Sequence, residues 1–244
     1  MSGINDDELD DIYRFAVQLG KDAGQMLMDA ARRRMQGDNG ATATQTTTTS
    51  VSYVEKENSV DLVTQTDHDA EHFIHTSIAD RYPHHKFIGE ETYSAGASRD
   101  YLFDASSPTW IVDPLDGTVN FTHLFPMFCV SIALAVDGVP VIGVVDAPFL
   151  HQTFSSCRGR GAWLNGEQRL PLVRSPVPPM PADAPSGCTF ACEWGKDRRD
   201  TPEGNLMRKI DSFVNMAAER RGRGGKGGMV HGVRSLGRYG IHIV

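Results

Sequence analysis

The sequence predicts an α/β fold, with helices near its start and strands through its middle. Three observations carry this reading. Residues 8–35 place Leu9, Ile12, Phe15, Ala16, Leu19, Ala23, Met26, Leu27 and Ala30 at three- and four-residue steps, which is one apolar face of a helix. Residues 109–158 instead hold apolar runs separated by short turn signals, the pattern of strands. The chain has 244 residues, of which 40% are hydrophobic and 24 are Gly, enough to bury a substantial core and to exclude a wholly disordered chain.

The elements follow in order. ARRRMQGDNG closes the first helix, with basic residues in the last turn and Gly37 just beyond. The Thr-rich stretch after it alternates only weakly, which fits a mobile hairpin or loop. A second helix follows Thr66, with Ala70, Phe73, Ile74, Ser77 and Ile78 as its buried stripe and Thr66 or Asp67 as its cap. KFIGEE reads as a short strand ending in two acids, and TWIVDPLDGTVNF as a strand running into a turn. PMFCVSIALAVDGVPVIGVVDAPFL reads as two strands joined at Asp137-Gly138, QTFSSCR as a third, and GRGAWLNGEQRL as a turn and a short strand. A loop rich in Pro follows, then a helix over 203–219 and a Gly/Arg stretch.

Charge and cysteine usage narrow the function. Against 31 acidic residues stand 24 basic ones, a net charge of −7, so the surface does not attract nucleic acid or an anionic membrane. Cys129, Cys157, Cys188 and Cys192 form no CxxC pair and too few bridges for a disulfide scaffold, which predicts free thiols in a reducing compartment. The acidic N-terminus lacks the apolar core of a secretory signal, and the longest apolar run, around Phe125–Val136, is too short to span a bilayer. The expectation is a soluble, cytoplasmic protein without a membrane or nucleic-acid partner.

The informative chemistry lies in Asp113-Pro114-Leu115-Asp116-Gly117-Thr118. A strand delivers Asp113 to its C-terminal edge, Pro114 fixes φ there, and Leu115 can aim its carbonyl the same way as the carboxylates of Asp113 and Asp116. Gly117 lets the backbone approach a ligand closely. Carboxylates, a carbonyl and water suit a hard divalent cation such as Mg²⁺. Glu90 and Glu91 at a second strand end, and Asp67 at a helix start, add acids whose mutual repulsion calls for cations.

DLVTQTD (61–67), FIGEE (87–91) and WIVDPLDGTVNF (110–121), in this order and spacing, resemble the inositol monophosphatase family. GVVDAP, GRGAWLNG and HGVRSLG resemble its later blocks, so the resemblance covers roughly residues 8–237. It implies a layered α-β-α-β-α sandwich of the sugar-phosphatase type and a Mg²⁺-dependent, lithium-sensitive phosphatase. Its substrate would be a small phosphate monoester such as inositol monophosphate, and its assembly a homodimer. By the same resemblance Glu90, Asp113 and the Leu115 carbonyl hold a first metal, and Asp113 with Asp116 a second. Thr118 and Glu90 position the attacking water, Asp67 orients Thr118, and the backbone of Gly117 and Thr118 cradles the phosphate.

The family's W-D-x-A-A-G motif has no counterpart here: Trp110, Trp163 and Trp194 are followed by Ile, Leu and Gly. The motif supplies a second-metal Asp, so the expectations are a chain incomplete at its C-terminal side or a catalytically impaired homologue with a binding or regulatory role. The resulting division is an N-terminal helix region (1–37), a Thr-rich mobile loop (38–60), a metal- and phosphate-binding α/β part (61–170), a Pro-rich loop (171–187), and the start of a truncated C-terminal part (188–244). Other features carry bland readings. His68, His72 and His75 form a solvated helix face rather than a zinc site, and Lys56 is an exposed lysine. RRGRGGKGG is a flexible linker rather than an RNA-binding segment, and Phe121, Phe125 and Phe128 are core.

Overall fold

The first helix sets the scale of the fold. In the computed structural model, which describes residues 4–36, 53–55, 62–94, 107–172, 176 and 179–237, α1 spans Asp6–Met35. Asn5 caps it by accepting from the Glu8 amide (2.9 Å), with three acids in its first turn and three arginines in its last, each sign at the helix end it suits. Leu9, Ile12, Ala16, Leu19, Ala23 and Leu27 are buried along the stripe that the three–four spacing predicts. Gly37, the stretch 38–52 and Lys56 lie outside the described residues.

The described residues fall into two compact units, one reaching Leu172 and one over Val173–Arg238. In the first, a short antiparallel pair, β1 (Tyr53–Glu55) and β2 (Leu62–Thr64), leads into α2 (Gln65–Arg81). A seven-stranded sheet follows: β3 (Lys86–Gly89), β4 (Thr109–Asp116), β5 (Cys129–Val136), β6 (Val139–Ala147), β7 (Gln152–Cys157), β8 (Gly161–Leu164) and β9 (Gln168–Arg169), in that spatial order. Within this sheet, among the described residues, only the β3–β4 ladder is parallel. Trp110, Val112, Val130, Ile132 and Leu134 from the sheet join the buried stripes of α1 and α2 in one core. Burial of such side chains supplies the main stabilisation, about 1.5–3 kcal/mol for each large one.

Local details depart from the sequence expectations. The second helix starts two residues early, and its cap is Thr64 rather than Thr66 or Asp67. Asp67 sits one turn in and accepts from the Thr64 amide and hydroxyl (2.9 and 2.5 Å), so the carboxylate holds the cap residue. The strand KFIGEE stops at Gly89, and Glu90–Ser94 form a short helix, α3. After β4 the chain does not simply turn: Thr118–Thr122 make a helical turn, α4. Phe121 and Phe128 are buried and meet edge to face (centroids 5.2 Å apart), whereas Phe125 is 46% exposed. The turn that returns its amide to the Asn120 carbonyl (2.8 Å) carries Phe125 out of the core where it was expected.

In the second unit, β10 (Thr189–Ala191) pairs in parallel with β11 (Gly232–Arg234), and α5 covers Leu206–Ala217. Trp194 stacks on Phe213 (5.0 Å) and Phe190 meets it edge-on (6.0 Å). The Glu193 carboxylate accepts from the Ser235 hydroxyl and from the Leu236 and Gly237 amides (3.1, 2.9 and 2.9 Å), which ties down the RSLG segment. The Gly/Arg stretch is ordered rather than a free linker. Gly228 and Met229 donate to the carbonyls of Asn215 and Ala218, and Arg223 reaches Asp211 and Asn215 (3.0 Å each).

Candidate active site

Two carboxylates three positions apart on a regular strand point to opposite faces. Asp113 and Asp116 escape that rule through a bulge. Asp113 pairs with Ser131 and Asp116 with Cys129, so β4 spends three steps where β5 spends two. Ser131 and Cys129 share a face of β5, and both acids are therefore brought to that one face. Pro114, which has no N–H to give to a ladder, lies inside the bulge, and the Leu115 amide turns back onto Asp113 Oδ1 (3.2 Å). The opposite face carries Trp110 and Val112 into the helix-packed core.

Gly117 ends the strand at φ +92° and ψ 36°, a left-handed backbone that favours glycine, and starts α4. This turn lifts Thr118 beside Leu115 and Asp67. The Thr118 hydroxyl has a single proton, shared between Asp67 Oδ1 (3.0 Å) and the Leu115 carbonyl (3.1 Å). Its lone pairs are left to accept. At the far end of α4, the Arg34 guanidinium donates to the Phe121 and Thr122 carbonyls (2.7 and 2.5 Å) and lies 5.1 Å over the Phe121 ring. The C-terminus of the first helix thus braces this short one.

Glu90 opens α3 at the end of β3, the strand parallel to β4. It is electrostatically joined to the aspartates. Burial first, then the charges of Glu90 and Asp116, push the Asp113 carboxyl well above the ordinary carboxylate range. Asp67 is also raised by burial, against the pull of its bonds from Thr64 and Thr118.

One residue beside these acids belongs to none of the motifs. Glu71 is buried, and its carboxylate accepts from the Glu91 amide (2.8 Å), the Thr92 amide (2.9 Å) and the Thr92 hydroxyl. The available clue is that Glu71 falls four residues after Asp67, on the stripe that Ala70, Ile74 and Ile78 bury. His68, His72 and His75 occupy the exposed side of α2, away from that stripe.

The donor set suits a hard cation. Among the described residues no group of three or more His, Cys, Asp or Glu side chains is placed to hold a metal ion by itself. Mg²⁺ commonly takes only one or two carboxylates, with substrate phosphate and water completing its shell. Glu90, Asp113, Asp116 and the Leu115 carbonyl are all oxygen donors. Ser131, the cross-strand neighbour of Asp113, has a buried hydroxyl without a hydrogen-bond partner among the described residues, a further polar group on this face. Among the described residues, no helix is long and apolar enough to cross a membrane.

The model of the inositol monophosphatase family matches residues 8–244. The chain is 66% identical over 232 residues to quinic acid degradation cluster protein x of Neurospora crassa, covering 94% of this chain and 67% of that one. It is 62% identical over 231 residues to protein qutG of Emericella nidulans, covering 94% and 66%. The chain thus spans about two thirds of the length of these curated relatives. The crystal structure of the extragenic suppressor protein suhB from Bartonella henselae superposes with a TM-score of 0.66 at 26% identity, over 93% of this chain and 70% of that one.

Proposed function

This chain belongs to the inositol monophosphatase family, and we propose that it hydrolyses a small phosphate monoester, inositol monophosphate first among the candidates, with the aid of Mg²⁺. The observation that carries the reading is the β4 bulge, which puts Asp113 and Asp116 on one face beside Glu90. Glu90, Asp113 and the Leu115 carbonyl would hold one cation, and Asp113 with Asp116 a second. Bound there, divalent cations lower the pKa of water and neutralise the phosphate and the departing alkoxide.

The chain's own residues orient the reaction. Thr118, its proton committed to Asp67 and Leu115, accepts a hydrogen bond from the attacking water, and Glu90 accepts the other. This aims a water lone pair at phosphorus. The water oxygen bonds to phosphorus as the ester P–O bond breaks in line, and the leaving alkoxide takes a proton from solvent to replace the one the attacking water gives up, yielding inorganic phosphate and the free alcohol. Ionised Asp67 keeps both oxygens free to accept from Thr64 and Thr118, and those donors oppose the burial that favours its neutral form. The backbone at Gly117 and Thr118 cradles the phosphate.

The name of the Neurospora relative supports a second reading of the substrate, a phosphate ester of an acid related to quinic acid. Inositol and quinic acid are both cyclohexane polyols, and the latter adds a carboxylate. Cytoplasmic location, lithium sensitivity and a homodimer complete the proposal. Phosphate release from each ester across a Mg²⁺ titration tests it. Mg²⁺-dependent turnover of one ester, lost in Asp113→Asn, is the expected result. No release with either ester would instead support a catalytically impaired homologue.

A further inference from the structure

We propose that Glu71 is a positioning residue for Glu90: through the first turn of α3 it sets where the Glu90 carboxylate stands beside Asp113. The inference rests on the reading of Glu90 as a metal ligand.

A helix start leaves its first amides without partners, and a side chain at the cap position usually supplies the acceptor. Here the residue before α3 is Gly89, which has no side chain. The acceptor arrives instead from α2, as the Glu71 carboxylate takes the Glu91 amide on one oxygen and the Thr92 amide and hydroxyl on the other. Glycine and carboxylate are interlocked. A Cβ on Gly89 would stand 2.4 Å from the Glu71 carboxyl carbon and one of its oxygens, so any larger residue evicts the clamp.

The amide of Glu91 shares its rigid peptide plane with the carbonyl carbon of Glu90. Holding that N–H fixes the backbone on the C-terminal side of Glu90. On the N-terminal side Gly89 is paired in register with Val112 of β4. Glu90 is therefore pinned from both sides, and only its side-chain torsions remain free. Because β4 also carries Asp113, the clamp and the ladder together hold the carboxylates of two separate segments in one frame.

The test compares Glu71→Gln with wild type and with Ile78→Val, a core substitution on the same helix stripe two turns beyond Glu71. Glutamine keeps the shape but offers one acceptor oxygen where two are used, and turns an amide donor toward another donor. In the metal-free protein, hydrogen exchange at Glu91 or Thr92 is expected to quicken about tenfold or more. Mn²⁺ binding, followed by the electron paramagnetic resonance of the free ion, is expected to weaken about tenfold, with kcat at saturating metal changed less than about threefold. Ile78→Val should leave Mn²⁺ affinity unchanged. Glu71→Asp keeps the charge but withdraws it by one methylene, and should also weaken Mn²⁺ binding if the glutamine variant does not fold.

Wild-type Mn²⁺ affinity in both Glu71 variants overturns the proposal, as does unchanged exchange at both amides. An equal loss of affinity in Ile78→Val overturns it too, since general destabilisation would then account for the effect. Glu90→Gln separates this inference from the reading beneath it. If that variant binds Mn²⁺ as wild type does, the ligand assignment itself fails. If it loses binding while the Glu71 variants keep it, only the clamp fails.

Discussion

Asp67 and Asp113 are two acids of one site that meet burial in opposite ways. Asp67 is almost fully enclosed, yet three donors converge on it: the amide and hydroxyl of Thr64 and the hydroxyl of Thr118. Asp113 accepts from the Leu115 amide and otherwise faces the negative charges of Glu90 and Asp116. Hydrogen bonds already satisfy the first, so it can orient a neighbour without a cation. The second is left with repulsion, and repulsion of that kind is relieved by bound positive charge. On the proposed reading, the difference separates an orienting acid from a metal ligand.

The sharpest way to break that contrast is Asp113→Asn. Turnover with Mg²⁺ is expected to fall at least about 10³-fold, about 4 kcal/mol of transition-state stabilisation. The metal-free protein should nonetheless melt at a higher temperature than wild type, because a buried charge facing like charges has gone. Thr118→Ala comes next, with kcat about 10²-fold lower and a nearly unchanged melting temperature; a loss of activity that merely tracks stability would place Thr118 in the scaffold. Asp67→Asn is expected to lower kcat about tenfold and, unlike Asp113→Asn, to destabilise the fold by about 1–3 kcal/mol, since its amide group meets donors with a donor. Calorimetry on the two asparagine variants reads the opposite signs directly.

The smallest effect is in pH. The folded-state pKa of Asp113 lies above its unfolded value, so its contribution to stability is fully present below about pH 3.9 and is lost as pH rises through the raised value. Without divalent cations, the advantage of Asp113→Asn over wild type should therefore be largest near pH 7 and shrink as the solution is acidified. Saturating Mg²⁺ should reverse the order at pH 7, because wild type alone keeps the ligand. A pH-independent gap would mean that Asp113 is not held against its charge.

Much of this site is legible in the residues themselves. Asp113, Pro114, Asp116, Gly117 and Thr118 announce an oxygen-rich turn, and Asp67 is marked by its motif. The bulge is not legible, because register belongs to a pair of strands: nothing within TWIVDPLD says that Asp116 stands opposite Cys129. Glu71 is hidden for a similar reason. A lone acid among Ala70, Ile74 and Ile78 reads as a flaw in an apolar stripe until its partners, about twenty residues on, are known. The cap of α2 misleads because Thr64, Thr66 and Asp67 all suit a helix start, and Phe125 misleads because its composition says core while the turn after α4 decides otherwise.

The order of the strands has a kinetic consequence. From β4 to β9 each strand pairs with the one that follows it in the chain, so every ladder closes over a short connection. Closing short loops costs little chain entropy, and low sequence separation between partners favours rapid assembly. The bulge that gathers Asp113 and Asp116 belongs to the first ladder of this series, whereas α1 reaches β6 across more than half of the described unit. Local pairing can thus shape the acidic turn before the long-range packing of the first helix is complete.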